Sequence, residues 1–453
     1  MTSVAIVGGG VSGLATAYYV SRAGCHATVV EAEARLGGVI RTETVDGCLV
    51  EAGPDSFISQ KPWGLELIRE LGLEAEVIGS QDHLRKTYVA RRGRLLPLPD
   101  GLHLMIPTAV WPILASPLLS LATKCRMALD LLRRPVDATA DRSVAEFVGG
   151  HYGREAVDYL AEPLLAGIYG GDAAELSASA VLPRLVDLER RHGSLTRGVL
   201  AGRAGTAPGP LFLTLKGGMQ RLIDALERSI AGRVAVVRAA VESVEGSSGH
   251  FRVRAGTQTI DAGQVVVATP AHAAGRLLRG LDEALAGRLA EIPYHSSVTV
   301  ALGYGREGFA HPRNGFGFLV PRVERRLLTA CTWVGTKFAH RESEDRVLLR
   351  AFVGAGKDQA VLGRSDASIV EAVRQELGQL MSVSGAPVFS RVYRWPRAMA
   401  QYTVGHERRV EEIKTRLARL PGLHLAGNAY LGIGIPDCIR AAQLAAERVV
   451  GVP

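Results

Sequence analysis

Residues 4–13 read Val4-Ala5-Ile6-Val7-Gly8-Gly9-Gly10-Val11-Ser12-Gly13, and a helical stretch, Leu14 to Ala23, follows them. The apolar, largely β-branched start predicts a buried strand. A second strand is expected at Ala27–Glu31, so strand, glycine turn, helix and strand fall within about thirty residues, the setting a dinucleotide fingerprint requires. Gly8, Gly10 and Gly13 form G-x-G-x-x-G. The first glycine permits the turn, the second lets backbone N–H groups approach a pyrophosphate, and the third lets the helix pack on the strand. The helix N-terminus adds partial positive charge at the same point. Glu31 stands 18 residues after Gly13. That spacing suits a carboxylate accepting both ribose hydroxyls, which favours an adenosine without a 2′-phosphate.

Moving outward, Val265-Val266-Val267-Ala268-Thr269-Pro270 reads as another buried strand ending at a turn, and Leu423–Ala426 as a third. A glycine-rich loop then leads to Pro436, which fits the first turn of a closing helix to Val450 because its missing N–H costs nothing there. Asp437, in that first turn, reads as a cap or dipole partner rather than a base. Between these pieces, 119–205 is predicted mainly helical and 290–395 mainly strands and loops, with a helix from Ser368 to Met381. Nucleotide-binding segments separated by other material imply a discontinuous domain.

With 453 residues, 47% hydrophobic and 22% charged, the chain has the composition of a multidomain globular protein. The net charge of +8 fits either a solvated basic surface or attraction to an acidic small molecule or anionic membrane face. Nucleic acid is disfavoured: there is no zinc-finger spacing and no RRM-type aromatic motif, and the arginines are scattered. Five dispersed cysteines without a C-x-x-C pair argue for reduced thiols in the cytoplasm. The apolar stretch Leu102–Cys125 is broken by Pro107, Pro112 and Pro117, so a spanning helix is not expected. A buried cavity wall is the favoured reading of it, and a shallow interfacial patch the alternative.

Glu31 followed by Arg35-Leu36-Gly37-Gly38 resembles the FAD signature of the flavin amine oxidase superfamily. Further blocks resemble the oxygen-dependent protoporphyrinogen and coproporphyrinogen oxidases across nearly the whole chain. They are Arg35–Arg41, Glu51–Phe57 (E-A-G-P-D-S-F), Glu162–Ser177 (E-P-L-L-A-G-I-Y-G-G-D-A-A-E-L-S), Leu215–Met219, Gly315–Pro321 and Gly427–Arg440. The resemblance implies an α/β fold with a discontinuous Rossmann-type FAD-binding domain (1–75, 211–285 and 396–453). It adds a mainly helical, membrane-facing domain (76–210) and a mixed α+β substrate domain (286–395).

FAD contacts are then expected at Gly8, Gly9, Gly10, Val11, Ser12, Gly13, Glu31, Ala32, Arg35, Gly38 and Val39. Others fall at Gly53, Pro54, Asp55, Ser56, Val241, Trp395, Ile433, Gly434 and Ile435. Asn428 stands where many relatives carry an acidic residue on the ribityl chain. Gly167 matches a glycine whose carbonyl faces substrate, and Leu319 an apolar clamp. Where relatives acting on protoporphyrinogen often carry an arginine, this chain has Thr87, flanked by Arg85 and Lys86, with Arg91, Arg92 and Arg94 following. That departure points to the bacterial coproporphyrinogen branch, with Arg85 and Lys86 meeting propionates.

The implied reaction removes six electrons from a porphyrinogen in three steps, each reduced flavin being reoxidised by molecular oxygen to give hydrogen peroxide. No general base, metal site or catalytic triad is assigned; Tyr294 and His295 read as core residues. A monomer or homodimer and peripheral membrane contact are both compatible with the sequence. A protoporphyrinogen oxidase, a flavin amine or polyene oxidase, and a non-catalytic FAD-binding or haem-chaperoning protein remain alternatives.

Overall fold

The computed structural model describes residues 2–135, 140–202, 209–247, 249–307, 309–354 and 360–451. Its organising layer is a five-stranded parallel sheet in the order Val234–Arg238, His26–Glu31, Ser3–Val7, Gln264–Val267, Leu423–Leu425. Both faces are covered, as a parallel sheet requires. Val4 and Ile6 pack toward the helices Val11–Arg22, Gln220–Ile230 and Ile435–Val449, while Ala5 and Val7 turn to the other face. The alternation is the two-residue period of a strand. On that second face lies an antiparallel meander, Val241–Ser247, His250–Ala255 and Gln258–Ala262. The strands come from three separated parts of the chain, and the first and last long helices pack directly on each other.

A second, mixed sheet has seven strands: Phe389–Ala400, Tyr294–Gly305, Arg346–Val353, Leu328–Trp333, Gly317–Leu319, Thr87–Arg91 and Arg94–Pro97. All neighbours are antiparallel except Gly317–Leu319 and Thr87–Arg91, which run parallel with Gly317 opposite Thr87. Its core is closed by the helix Asp366–Met381.

The region between the first two parts of the parallel sheet is mainly helical and carries its own core around Phe147, Tyr152, Leu160 and Leu195. Buried His151 ties that core together, its Nδ1 2.5 Å from Asp130 and its Nε2 3.0 Å from Glu189. A π-turn, Val157–Ala161, runs into the helix Glu162–Tyr169. Pro163 has no N–H for the carbonyl four residues back, so the hydrogen-bond ladder widens just before it.

The stretch Leu102–Cys125 departs from the favoured expectation of a buried wall. Met105, Ile106, Ile113, Leu118 and Leu119 are buried, but Val110, Trp111 and Leu121 are 74, 78 and 72% exposed. The prolines break it into the short helices Val110–Ala115 and Leu121–Leu129, each of which can bury only one side. No described helix is long and apolar enough to cross a membrane. All five cysteines are free.

Candidate active site

The glycine loop is set by close approach. Gly8 has φ +105°, a conformation that side chains avoid. A Cβ on Gly13 would overlap the Gly8 carbonyl oxygen, and one on Gly9 would overlap Leu36. At Gly10 the opposite holds: a Cβ would meet nothing within 4 Å. Gly10 is also the N-cap of Val11–Arg22, gives that helix no side-chain cap, and no acidic residue stands in the first turn. The helix end is therefore an open, positively polarised cradle, suited to a diphosphate.

The second glycine pair closes onto the first. Gly37 donates its N–H to the Gly9 carbonyl at 2.8 Å, and a Cβ on Gly38 would stand 3.3 Å from Gly10 Cα. Glu31 lies at the edge of this loop, where Oε2 accepts from Gly9 N at 2.5 Å and Oε1 from Glu33 N at 2.8 Å. Arg35, expected as a cofactor contact, donates to the carbonyls of Leu36, Gly38 and Ile40 and so shapes the turn. Ala32, Gly38 and Val39 are exposed along the same rim, and Val241 begins the meander strand just beyond Ala239, whose N–H meets the Glu31 carbonyl.

The C-terminal loop meets this cradle from the other side. Gly434 caps the last helix, and Ile435 is buried in the helical layer. Asp437 accepts from Gly434 N at 3.2 Å and pairs with Lys61 at 2.6 Å, the capping role expected of it. Asn428 is committed to protein partners: its Oδ1 accepts from Tyr294 Oη at 3.1 Å and its Nδ2 donates to Ala398 O at 3.0 Å. Tyr294 and His295 are likewise engaged, the first by Ala271 N and Asn428, the second through Nδ1 with Gly170 O at 2.8 Å. Nearby, the buried Thr269 Oγ1 has no hydrogen-bond partner, so the turn after the Gln264–Val267 strand presents an orphaned hydroxyl.

Between the two sheets lies a charge cluster whose pairing the sequence analysis did not foresee. Asp55 pairs with Lys337 at 3.0 Å and lies 3.7 Å from Arg350. Arg341, 1% exposed, donates to Asp55 O at 2.9 Å and Thr214 Oγ1 at 2.6 Å and pairs with Glu51 at 3.0 Å. Arg350 also donates to the Gly53 carbonyl. Burial alone would raise the Asp55 carboxyl, but Lys337, Arg350 and Arg341 outweigh it and hold it well below the usual carboxylate range. Three cations against two carboxylates thus fasten Gly53–Ser56 to the second sheet. Trp395 Nε1 adds a bond to Ala52 O at 2.9 Å. A Cβ on Gly53 would overlap the Val39 carbonyl oxygen, so this segment and the second glycine turn are in contact.

On the substrate side, a Cβ on Gly167 would stand 3.4 Å from Leu319 Cδ2. The structure therefore places together the two residues named as carbonyl and clamp. Arg85 and Lys86 are exposed at the entry to Thr87–Arg91, the strand beside the one bearing Leu319. Arg91 is taken up by Glu155 at 2.7 Å and by the ring of Tyr159.

A family model for flavin containing amine oxidoreductase matches residues 11–450. The chain belongs to this family. Coproporphyrinogen III oxidase of Bacillus subtilis (strain 168) is 34% identical, with 98% of this chain and 96% of the relative covered. The Staphylococcus aureus (strain NCTC 8325 / PS 47) protein of the same name is 31% identical, with 99% of each covered. A crystal structure from Exiguobacterium sp. 255-15, named for protoporphyrinogen oxidase, superposes with a TM-score of 0.89 at 32% identity, covering 99% of this chain and 98% of the other. A flavin family and a dinucleotide cradle with an open diphosphate seat together identify the cofactor as FAD. The residues fit it: the cradle at Gly10 is open where a Cβ would otherwise sit, and the Glu31 carboxylate lies at the edge of the same loop.

Proposed function

We propose that this chain is an oxygen-dependent coproporphyrinogen III oxidase, converting coproporphyrinogen III to coproporphyrin III in haem synthesis with release of hydrogen peroxide. The observation that carries the reading is whole-length likeness to proteins of that name, from one end of the chain to the other. FAD, when bound, supplies the two-electron acceptor for each step, and dioxygen restores it.

The protein's own work is positioning. The Val11–Arg22 helix end and Glu31 hold the nucleotide half, and the Gly53–Ser56 segment and the Ile433–Ile435 turn hold the other. Gly167 and Leu319, in contact with each other, together form one wall against the macrocycle. Arg85 and Lys86, unlike Arg91, stay exposed to meet propionates. Aromaticity of the product drives the reaction, so orientation and exclusion of water suffice without an assigned base. Parallel peroxide assays are expected to show faster turnover of coproporphyrinogen III than of protoporphyrinogen IX; equal or reversed rates would overturn the substrate assignment.

The helical region offers a second part of the reading, contact with an anionic membrane surface. Trp111, Val110, Leu121 and Leu132 (77% exposed) are exposed in the same helical region as Arg126, Arg133 and Arg134. An indole and aliphatic side chains among cations match the interface between headgroups and acyl chains. Sedimentation with phosphatidylglycerol vesicles is expected to carry the protein down, and a Trp111→Ser/Leu132→Ser variant to bind at least about tenfold more weakly. Equal sedimentation of variant and parent would remove the membrane from the reading. Free thiols throughout suit residence in the reducing cytoplasm, with such contact peripheral.

A further inference from the structure

Glu162 opens the helix that carries Gly167, directly after the π-turn. It is 6% exposed, and its Oε1 has no hydrogen-bond partner. Its Oε2 accepts from the backbone N–H of Arg322 at 3.2 Å. The guanidinium of Arg322 then reaches Asp172, just past the other end of the same helix, at 2.6 Å. Two polar bonds therefore tie the loop after the Gly317–Leu319 strand to both ends of the Gly167 helix. The Gly167–Leu319 approach lies between them. A buried carboxyl with one oxygen unsatisfied is costly, and such a group is retained where it holds something in place.

We propose that Glu162 is a positioning residue that sets the spacing between Gly167 and Leu319, and that the grip on the macrocycle follows the charge on this carboxyl. The inference rests on the porphyrinogen reading above and deepens it.

The charged groups acting on Glu162 are Asp158 on the preceding turn, Asp172 beyond the helix end and Arg322 on the opposite loop, where Glu324 accepts from the Tyr159 hydroxyl. Burial pushes its carboxyl up to about 7; Arg322 opposes the rise, while Asp172 and Asp158 add to it. Above that pH the carboxylate accepts a charge-assisted hydrogen bond from Arg322 N, and below it the bond weakens. The loop then loosens against the helix, and affinity for the ring falls as pH drops through neutrality.

The test is titration of coproporphyrin III into the FAD-loaded protein at pH 6 and pH 8, followed by tryptophan quenching, alongside the pH profile of kcat/KM with coproporphyrinogen III. The parent is expected to bind about fivefold more weakly at pH 6 than at pH 8. Glu162→Gln keeps an acceptor but cannot titrate, so it is expected to lose the parent's extra weakening at pH 6. Asp172→Asn removes a neighbouring negative charge and is expected to move the inflection to lower pH, which keeps the test decisive if the glutamine variant does not fold. Any titration of the substrate's own propionates is common to all three proteins. If the parent turns over porphyrinogen normally but neither substitution alters the pH response, the spacing role is overturned and the functional reading stands. If the FAD-loaded parent neither binds porphyrin nor oxidises porphyrinogen, the functional reading fails and takes this inference with it.

Discussion

Alanine at Gly13 is expected to give a protein that purifies without flavin. The added Cβ would overlap the Gly8 carbonyl oxygen. Neither side can yield easily. Gly8 N donates to Val30 O at 2.8 Å and Gly9 O accepts from Gly37 N at 2.8 Å, while Leu14 and Ala15 of the helix are fully buried. Overpacking of this kind costs about 1–3 kcal/mol when side chains can adjust, and more when backbone must move. Since the displaced backbone is the diphosphate cradle itself, FAD affinity should fall by at least about 100-fold, equivalent to ~2.7 kcal/mol. Gly10→Ala supplies the contrast. Its Cβ meets no protein atom within 4 Å, and the backbone there, at φ −71° and ψ 179°, accepts any residue. The apoprotein should melt as the parent does, yet the methyl group stands where the diphosphate must come close. Flavin absorbance per mole of protein after desalting, and apoprotein Tm, separate the two effects. Two variants as yellow as the parent would mean that this loop does not hold the cofactor.

Those glycines could be read from sequence because they fall at fixed offsets within one short turn, and a turn that favours glycine leaves a local mark. The same holds for Pro436 and for the parallel strands, whose unbroken apolar runs reflect burial on both faces. What could not be read depends on tertiary partners. Glu51, Asp55, Thr214, Lys337, Arg341 and Arg350 are separated by up to about 300 residues, and nothing local pairs them. The one available sign was Arg350 inside R-V-L-L-R-A-F-V, a charge on the buried side of a central strand. The partners of Arg35 and Asn428 were likewise not read: Arg35 donates to the Leu36 and Ile40 carbonyls, and Asn428 accepts from the Tyr294 hydroxyl. Leu328–Trp333, the helices Ala271–Leu278 and Glu283–Ala290, and His406–Leu417 were not anticipated as elements. His406–Leu417 is so rich in charge that its narrow apolar side, Val410 and Ile413, gives a weak periodic signal.

Lys337→Met is expected to destabilise the protein by about 3 kcal/mol at pH 7, near the lower end for breaking a buried ion pair, because Arg350 and Arg341 remain beside Asp55. Methionine keeps most of the stem's volume, so the variant reports loss of charge: the pair with Asp55 and the ammonium's contacts with the rings of Phe212 and Phe338. Burial pushes the Lys337 ammonium down and Asp55 opposes it, but the carboxylate is the end to follow, since three cations converge on it. A carboxyl whose folded value is depressed contributes stability that is present above its ordinary range and lost as pH falls through the folded value. Removing Lys337 lets that value rise, so the variant takes up a proton at a pH where the parent stays charged. The gap between the two should therefore be largest near pH 7 and narrow on acidification through pH 4 and below. Thermal unfolding across that range checks it, and a gap under 0.5 kcal/mol (by the ~1.4 kcal/mol per tenfold relation), or one that does not change with pH, would deny Lys337 its role as counter-ion. Asp55→Asn in the Lys337→Met background should recover part of the loss, because a neutral amide needs no ammonium. The Gly53–Ser56 backbone hangs on this cluster through Arg350 and Arg341, so the single variant should also release FAD more readily, and the double variant should hold it better than the single.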